Sequence, residues 1–219
     1  MAANAIDPII DRLTEIVGWA RDRENRIGYF AAMYHRVTVA VKEAIEAGEF
    51  EDAARMTRLD VAFAQRYIDA FEQFEVGGEP TSAWRVSFDA TAKRRPVIIQ
   101  QLLTGMNAHI NLDLGIAAAT VCPGAELGPL ERDFIKINEV LARMIDGLVA
   151  DVAEVSPWIG IINRFRGAGH RLVIKFSIDV ARVEAWKLAN ELAALPRTEW
   201  PDPMRARDDW TAGFGKFLL

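Results

Sequence analysis

With one cysteine and three histidines in 219 residues, the chain lacks the raw material for several kinds of chemistry. The lone Cys122 excludes an internal disulfide framework and a cysteine-built zinc site. His35, His109 and His170 are too few for a histidine-rich zinc cluster. None of them has a glutamate three residues ahead, which removes the Glu-x-x-His pairs of ferritin-like di-iron sites. A glycine-rich dinucleotide turn, a phosphate loop, HExxH and a nucleophile elbow are all missing. No metal and no cofactor is therefore expected. Strand-like alternation, internal repeats and low-complexity tracts are absent too, which argues against a β-rich or solenoid fold. Apolar runs of membrane-spanning length are interrupted by polar groups, and the first residues carry no signal-peptide pattern. The formal net charge of −5 disfavours a nucleic-acid partner. These absences together predict a cytoplasmic protein without a transmembrane segment.

What is present is helical periodicity. Hydrophobic residues make up 51% and charged residues 26%, enough apolar material for one sizeable core. The expectation is an all-α fold, a single compact helical domain built around one buried central helix. Residues 1–25 read as an N-terminal helix opened by Asp7-Pro8, then a connection from Gly18 to Asn25. Residues 26–195 read as the helical core domain, and 196–219 as a Pro/Trp/Gly-rich tail packed on the core or on a partner, which leaves room for a homodimer. Within the core, helices are expected from Ile27 to Ala47, from about Glu51 to Val76, and briefly after Thr81 or Ser82 as cap. Further helices follow from Leu130 to Val152 and after Ser177. The basic residues around Gly167 and Gly169 read as a connecting loop able to contact anions.

The stretch Arg94–Cys122 stands out. Pro96 suits a first helical turn, and the run is apolar nearly all round, so Pro96–Val121 should be buried. Polar residues nonetheless form two stripes on it. His109 and Asp113 share one side with Gln101 and Gly105; Gln100, Thr104, Asn107 and Asn111 share the other. Each buried polar group needs a partner or costs about 1–3 kcal/mol. A second anomaly is Asp60, which interrupts the aromatic face Met56, Phe63, Tyr67, Phe71 and Phe74; an apolar setting raises a carboxyl pKa. Asn138 similarly interrupts an apolar face further on.

LDVAFAQRYIDAF (Leu59–Phe71), RRPVIIQQLLTGMNAHINLDLGIAAA (Arg94–Ala119) and AEVSPW (Ala153–Trp158) together resemble a bacterial helical family of unknown function, DUF5995. The resemblance spans about Tyr29 to Leu192 and implies a helical fold, with no activity to carry over. It also implies that relatives often place a histidine where this chain has Gln101, so a two-imidazole site of relatives is not expected here.

The residues themselves point to acid/base chemistry. His109, Asp60, Asp113 and Tyr67 are the candidate catalytic groups, with His109 the general acid/base tuned towards neutral pH by a carboxylate. Gln101, Asn107, Phe63 and Asn138 are candidate substrate-binding residues. Such a site suits a cofactor-independent lyase, isomerase, cyclase or hydrolase acting on a small hydrophobic molecule in a pocket lined by His109, Asp60 and Tyr67. Two alternatives stand beside it: a metal-dependent enzyme using Asp60, His109 and Asp113, and a non-enzymatic helical binding module.

Overall fold

A computed structural model describes residues 2–93, 98–141, 143 and 168–219. Among them every regular element is helical. A 3₁₀ turn at Ala2–Ile6 leads into α1 (Asp7–Asp22), with α2 at Ile27–Glu46 and α3 at Ala53–Glu75. The short α4 is Ser82–Thr91. The polar-striped stretch comprises α5 (Ile98–Ala108), a π-helical segment (His109–Leu114) and α6 (Gly115–Val121). Residues 131–141 form α7, followed by α8 (Ala168–Ala193) and α9 (Pro201–Phe217). No helix among the described residues is long and apolar enough to cross a membrane.

Several boundaries follow directly from local chemistry. Asp52 caps α3 by accepting from the Arg55 amide at 2.8 Å, and Gly48, at φ 72°, lets the chain leave α2. Elsewhere the expected boundaries shift. α1 runs on through Gly18 to Asp22, because its last turn brings buried Ala20 against α2; a Cβ on Gly28 would meet the Ala20 Cβ at 2.9 Å. The glycine-punctuated stretch before Ser177 is helical from Ala168, so Ser177 lies inside α8 and is not its cap. Only about 1 kcal/mol opposes a glycine inside a helix, which the helix formers after Gly169 outweigh. The tail is not irregular: Pro201 occupies the first turn of α9, where its missing N–H does no harm. Expectations placed on Arg94–Pro96, on the end of the Leu130–Val152 helix, on the AEVSPW segment and on Arg164 and Arg166 lie outside the described residues.

The stretch from Ile98 to Val121 is a composite instead of one α-helix. Its π turn adds a residue to the winding, so the faces after Leu114 are out of phase with those before. From Asn111 to Ala119 every residue is buried, packed against α3 and α8. Gly115 permits the approach of α8, since a Cβ there would sit 2.6 Å from the Ala185 carbonyl oxygen. Two apolar clusters flank the stretch. One gathers Phe30, Tyr34, Tyr67, Trp84 and Leu112; the other gathers Met56, Leu59, Leu114, Phe134 and Ala185.

A buried carboxylate ties the second cluster together. Asp133 of α7 accepts from the backbone amides of Glu51 at 2.7 Å and Asp52 at 3.1 Å, and from the Arg55 guanidinium at 2.8 Å. It thus supports the start of α3 from another helix. Replacing Asp133 with alanine removes the close partner of Arg55, which keeps only a 4.0 Å contact to Asp52, and leaves two amides unpaired, so Asp133→Ala should destabilise the fold by about 3 kcal/mol or more. Urea unfolding checks this; a loss below about 1 kcal/mol would show that the tie is dispensable.

Candidate functional site

The π turn places His109 and Asp113 on the side facing α2, α3 and α4, and Asp113 is the centre of what they build. Its carboxylate has no solvent exposure. Oδ1 accepts from Arg66 Nε of α3 at 2.7 Å, and Oδ2 accepts from Trp84 Nε1 of α4 at 2.7 Å. His109 Nδ1 approaches the same Oδ2 at 3.4 Å, a long contact. Burial pushes this carboxyl up, but the Arg66 charge, His109 and the Trp84 N–H more than offset it, so Asp113 stays below the ordinary carboxylate value. An ionised Asp113 only accepts, which places the imidazole proton on Nδ1 and a lone pair on Nε2.

His109 itself sits in a box of rings. Phe63 stacks on it with centroids 3.6 Å apart and planes 9° from parallel. Tyr34 meets it edge-on at 4.3 Å, with Phe30, Trp84 and Tyr67 further out. Desolvation lowers its pKa, and the Asp113 interaction only partly opposes that. Burial outweighs the carboxylate's pull, which favours the neutral imidazole.

Buried polar atoms without a partner among the described residues include His109 Nε2, the Tyr34 and Tyr67 Oη atoms of its neighbouring rings, and, elsewhere on α3, Asp60 Oδ2. Tyr34 and Tyr67 stand 5.9 Å apart between ring centroids, and burial raises both phenol pKa values. The next influence on the Tyr34 phenol is the charge of Asp60. Asp60 is buried as its place in the aromatic face implies, and desolvation alone pushes its pKa up to about 7.

The candidate binding residues divide. Phe63 forms one wall of the His109 box. Gln101 lines, with Tyr67, Trp84 and Ser87, a cavity of about 10 Å³, room for one water. Tyr67 is among its lining residues, and His109 and Asp60 are not. Asn107 is used otherwise: its Nδ2 donates to the Thr211 carbonyl of α9 at 2.8 Å and its Oδ1 accepts from Asn111 at 2.9 Å. Asn138 lies on α7, whose Phe134 and Val140 belong to the other apolar cluster, and its Oδ1 is buried without a partner among the described residues. No group of three or more His, Cys, Asp or Glu side chains is placed to hold a metal among the described residues, so Asp60, His109 and Asp113 do not form a three-ligand set.

Arg66, Trp84 and Tyr34 were not singled out from the sequence. Arg66 sits beside polar Gln65 and so looks solvated, yet it reaches Asp113 and is only 25% exposed. A usable signal existed for Trp84, since a buried indole N–H seeks an acceptor and Asp113 was the unpaired carboxylate available.

The carboxyl of Asp60 gives a pH test. Its folded pKa of about 7 lies above the ordinary 3.8, so the folded state keeps a proton that the unfolded chain releases. That preference is fully present below pH 4 and lost as pH rises through 7, an effect on the order of 4 kcal/mol. Asp60→Asn lacks it. Wild type should therefore lose stability relative to Asp60→Asn between pH 4 and 7, the difference levelling off above that. A difference independent of pH would show that the carboxyl titrates normally.

Comparison with known proteins adds a family and no activity. No curated protein and no solved structure matches the chain. One family model covers residues 6–219, and by that match the chain belongs to the family of unknown function DUF5995.

Proposed function

We propose that this protein is a cofactor-independent acid/base enzyme whose reactive group is His109 Nε2. What carries the reading is a buried, neutral imidazole, held by an ionised aspartate, whose Nε2 and neighbouring Tyr34 and Tyr67 hydroxyls have no partner among the described residues. Structural polar networks generally satisfy their members; a cluster that leaves several unsatisfied calls for a functional account. Nε2 is the base, Asp113 steadies the imidazolium that forms, and Arg66 keeps Asp113 ionised. The Asp60 carboxyl, with its pKa near 7, can return a proton, and Tyr34 and Tyr67 offer phenolic donors. The ring-lined surroundings suit a small, largely apolar molecule. Lyase, isomerase, cyclase and hydrolase chemistry all meet this description.

The second reading, a non-enzymatic binding module, is favoured by the closeness of the packing. Phe63 covers one face of His109, and the neighbouring cavity has room for one water only. The two readings diverge on His109→Asn, which preserves a donor and an acceptor. Fragments of small apolar molecules, screened by NMR for shifts at His109 and Tyr67, supply candidate substrates. On any that is turned over, His109→Asn should fold with unchanged melting temperature and react at least about 100-fold more slowly. If fragments bind and none is turned over, the binding-module reading holds; an active His109→Asn would remove the enzyme reading at this site.

A further inference from the structure

The polar stripe opposite His109 has a different use, and it bears on how the site is reached. Gln100 Nε2 donates to the carbonyls of Leu218 and Leu219, each at 3.0 Å, and Asn107 Nδ2 donates to that of Thr211. Both amides therefore hold α9. From its middle, at Asp208, α9 holds α4. Asp208 accepts from the amides of Ser82 at 2.7 Å and Ala83 at 2.8 Å, capping a helix 125 residues earlier in the chain. Thr81, in the capping position, makes no cap bond, and its Oγ1 is buried without a partner among the described residues.

α4 lies chiefly against α9 and α5, and meets α3 through ring contacts alone, Trp84 on Tyr67 at 5.0 Å and Phe88 on Phe74 at 4.8 Å. It supplies Trp84, Ser87, Phe88 and Thr91 to the cavity beside Tyr67 and Gln101, and Trp84 reaches through to Asp113. Ahead of it the chain turns at Gly77, φ 74°, a point that needs glycine. α9 docks through small residues and through the hydrogen bonds above. Its buried residues Thr211, Ala212 and Gly215 are small, while Trp210, Phe214 and Phe217 face solvent. Such a contact separates more easily than an apolar core.

From this we infer that α4 is the door to the His109 site and that α9 is its bolt, with Asp208 as the latch. Outward movement of α4 enlarges the one-water cavity towards Tyr67 and carries Trp84 away from Asp113. The inference rests on the acid/base reading for its purpose, but it concerns access, so it is tested without turnover.

The measurement is the rate at which diethyl pyrocarbonate modifies His109 in the full chain, followed by mass spectrometry, with amide exchange across Ser82–Thr91. Asp208→Ala should raise both rates at least about fivefold, the usual size of a lost cap. Asp52→Ala, which removes the cap of α3 within its own helix, serves as the control, compared at equal measured stability, and should leave both rates near wild type. If Asp208→Ala does not fold, Gly215→Ala takes its place, its added Cβ pressing on Val86 and Asn107 at 3.2 Å. Unchanged rates in the latch variant, or equal rises in latch and control, would overturn the door. Inactivity on every substrate with a working latch would count against the acid/base reading alone.

Discussion

A carboxylate closed off from water must be paid for by its neighbours, and the site depends on how Asp113 meets that demand. Isolated, such a group would cost several kcal/mol in desolvation. Here Arg66 brings a full charge from α3, Trp84 a directed N–H from α4, and His109 an imidazole from the same π turn. The three directions fix the relative placement of three elements more tightly than apolar contact would. They also explain why removing any one partner should be felt at the other two.

The stretch that carries Asp113 shows how far one sequence can be read. Its two polar stripes were visible from spacing alone, and each has a distinct role. The stripe with Gln101, His109 and Asp113 faces the aromatic helices, while Gln100, Asn107 and Asn111 form the ladder that holds α9. Asp60 was legible as buried because it stood in an aromatic face, and Gly48 because it followed the last periodic residue. Other features lay beyond local pattern. The π turn leaves no mark in hydrophobic periodicity, because it changes phase only after Leu114. Asp133 and Asp208 each bind the start of a helix distant in sequence, and nothing near either residue names its partner. The residues of α9 read as a tail because proline and glycine weigh heavily in composition; the proline that suits a first turn was outvoted.

Burial also decides the electrostatics of the site, and in opposite senses for its two titratable partners. His109 loses its proton more readily than a free imidazole, and Asp60 holds its proton more tightly than a free carboxyl. Their affinities for protons are thereby drawn together. The rings that desolvate His109 also exclude water from it.

The central claim is that burial holds His109 neutral, while Asp113 fixes its proton on Nδ1 and leaves a lone pair on Nε2. Nitrogen-15 NMR of the imidazole, recorded from pH 8 down to the limit of the folded state, reads tautomer and charge together. The account predicts a neutral ring protonated at Nδ1 at pH 7, which takes up a second proton only below pH 6.5, the ordinary value for histidine. An imidazolium at pH 7, or a neutral ring protonated at Nε2, would contradict it.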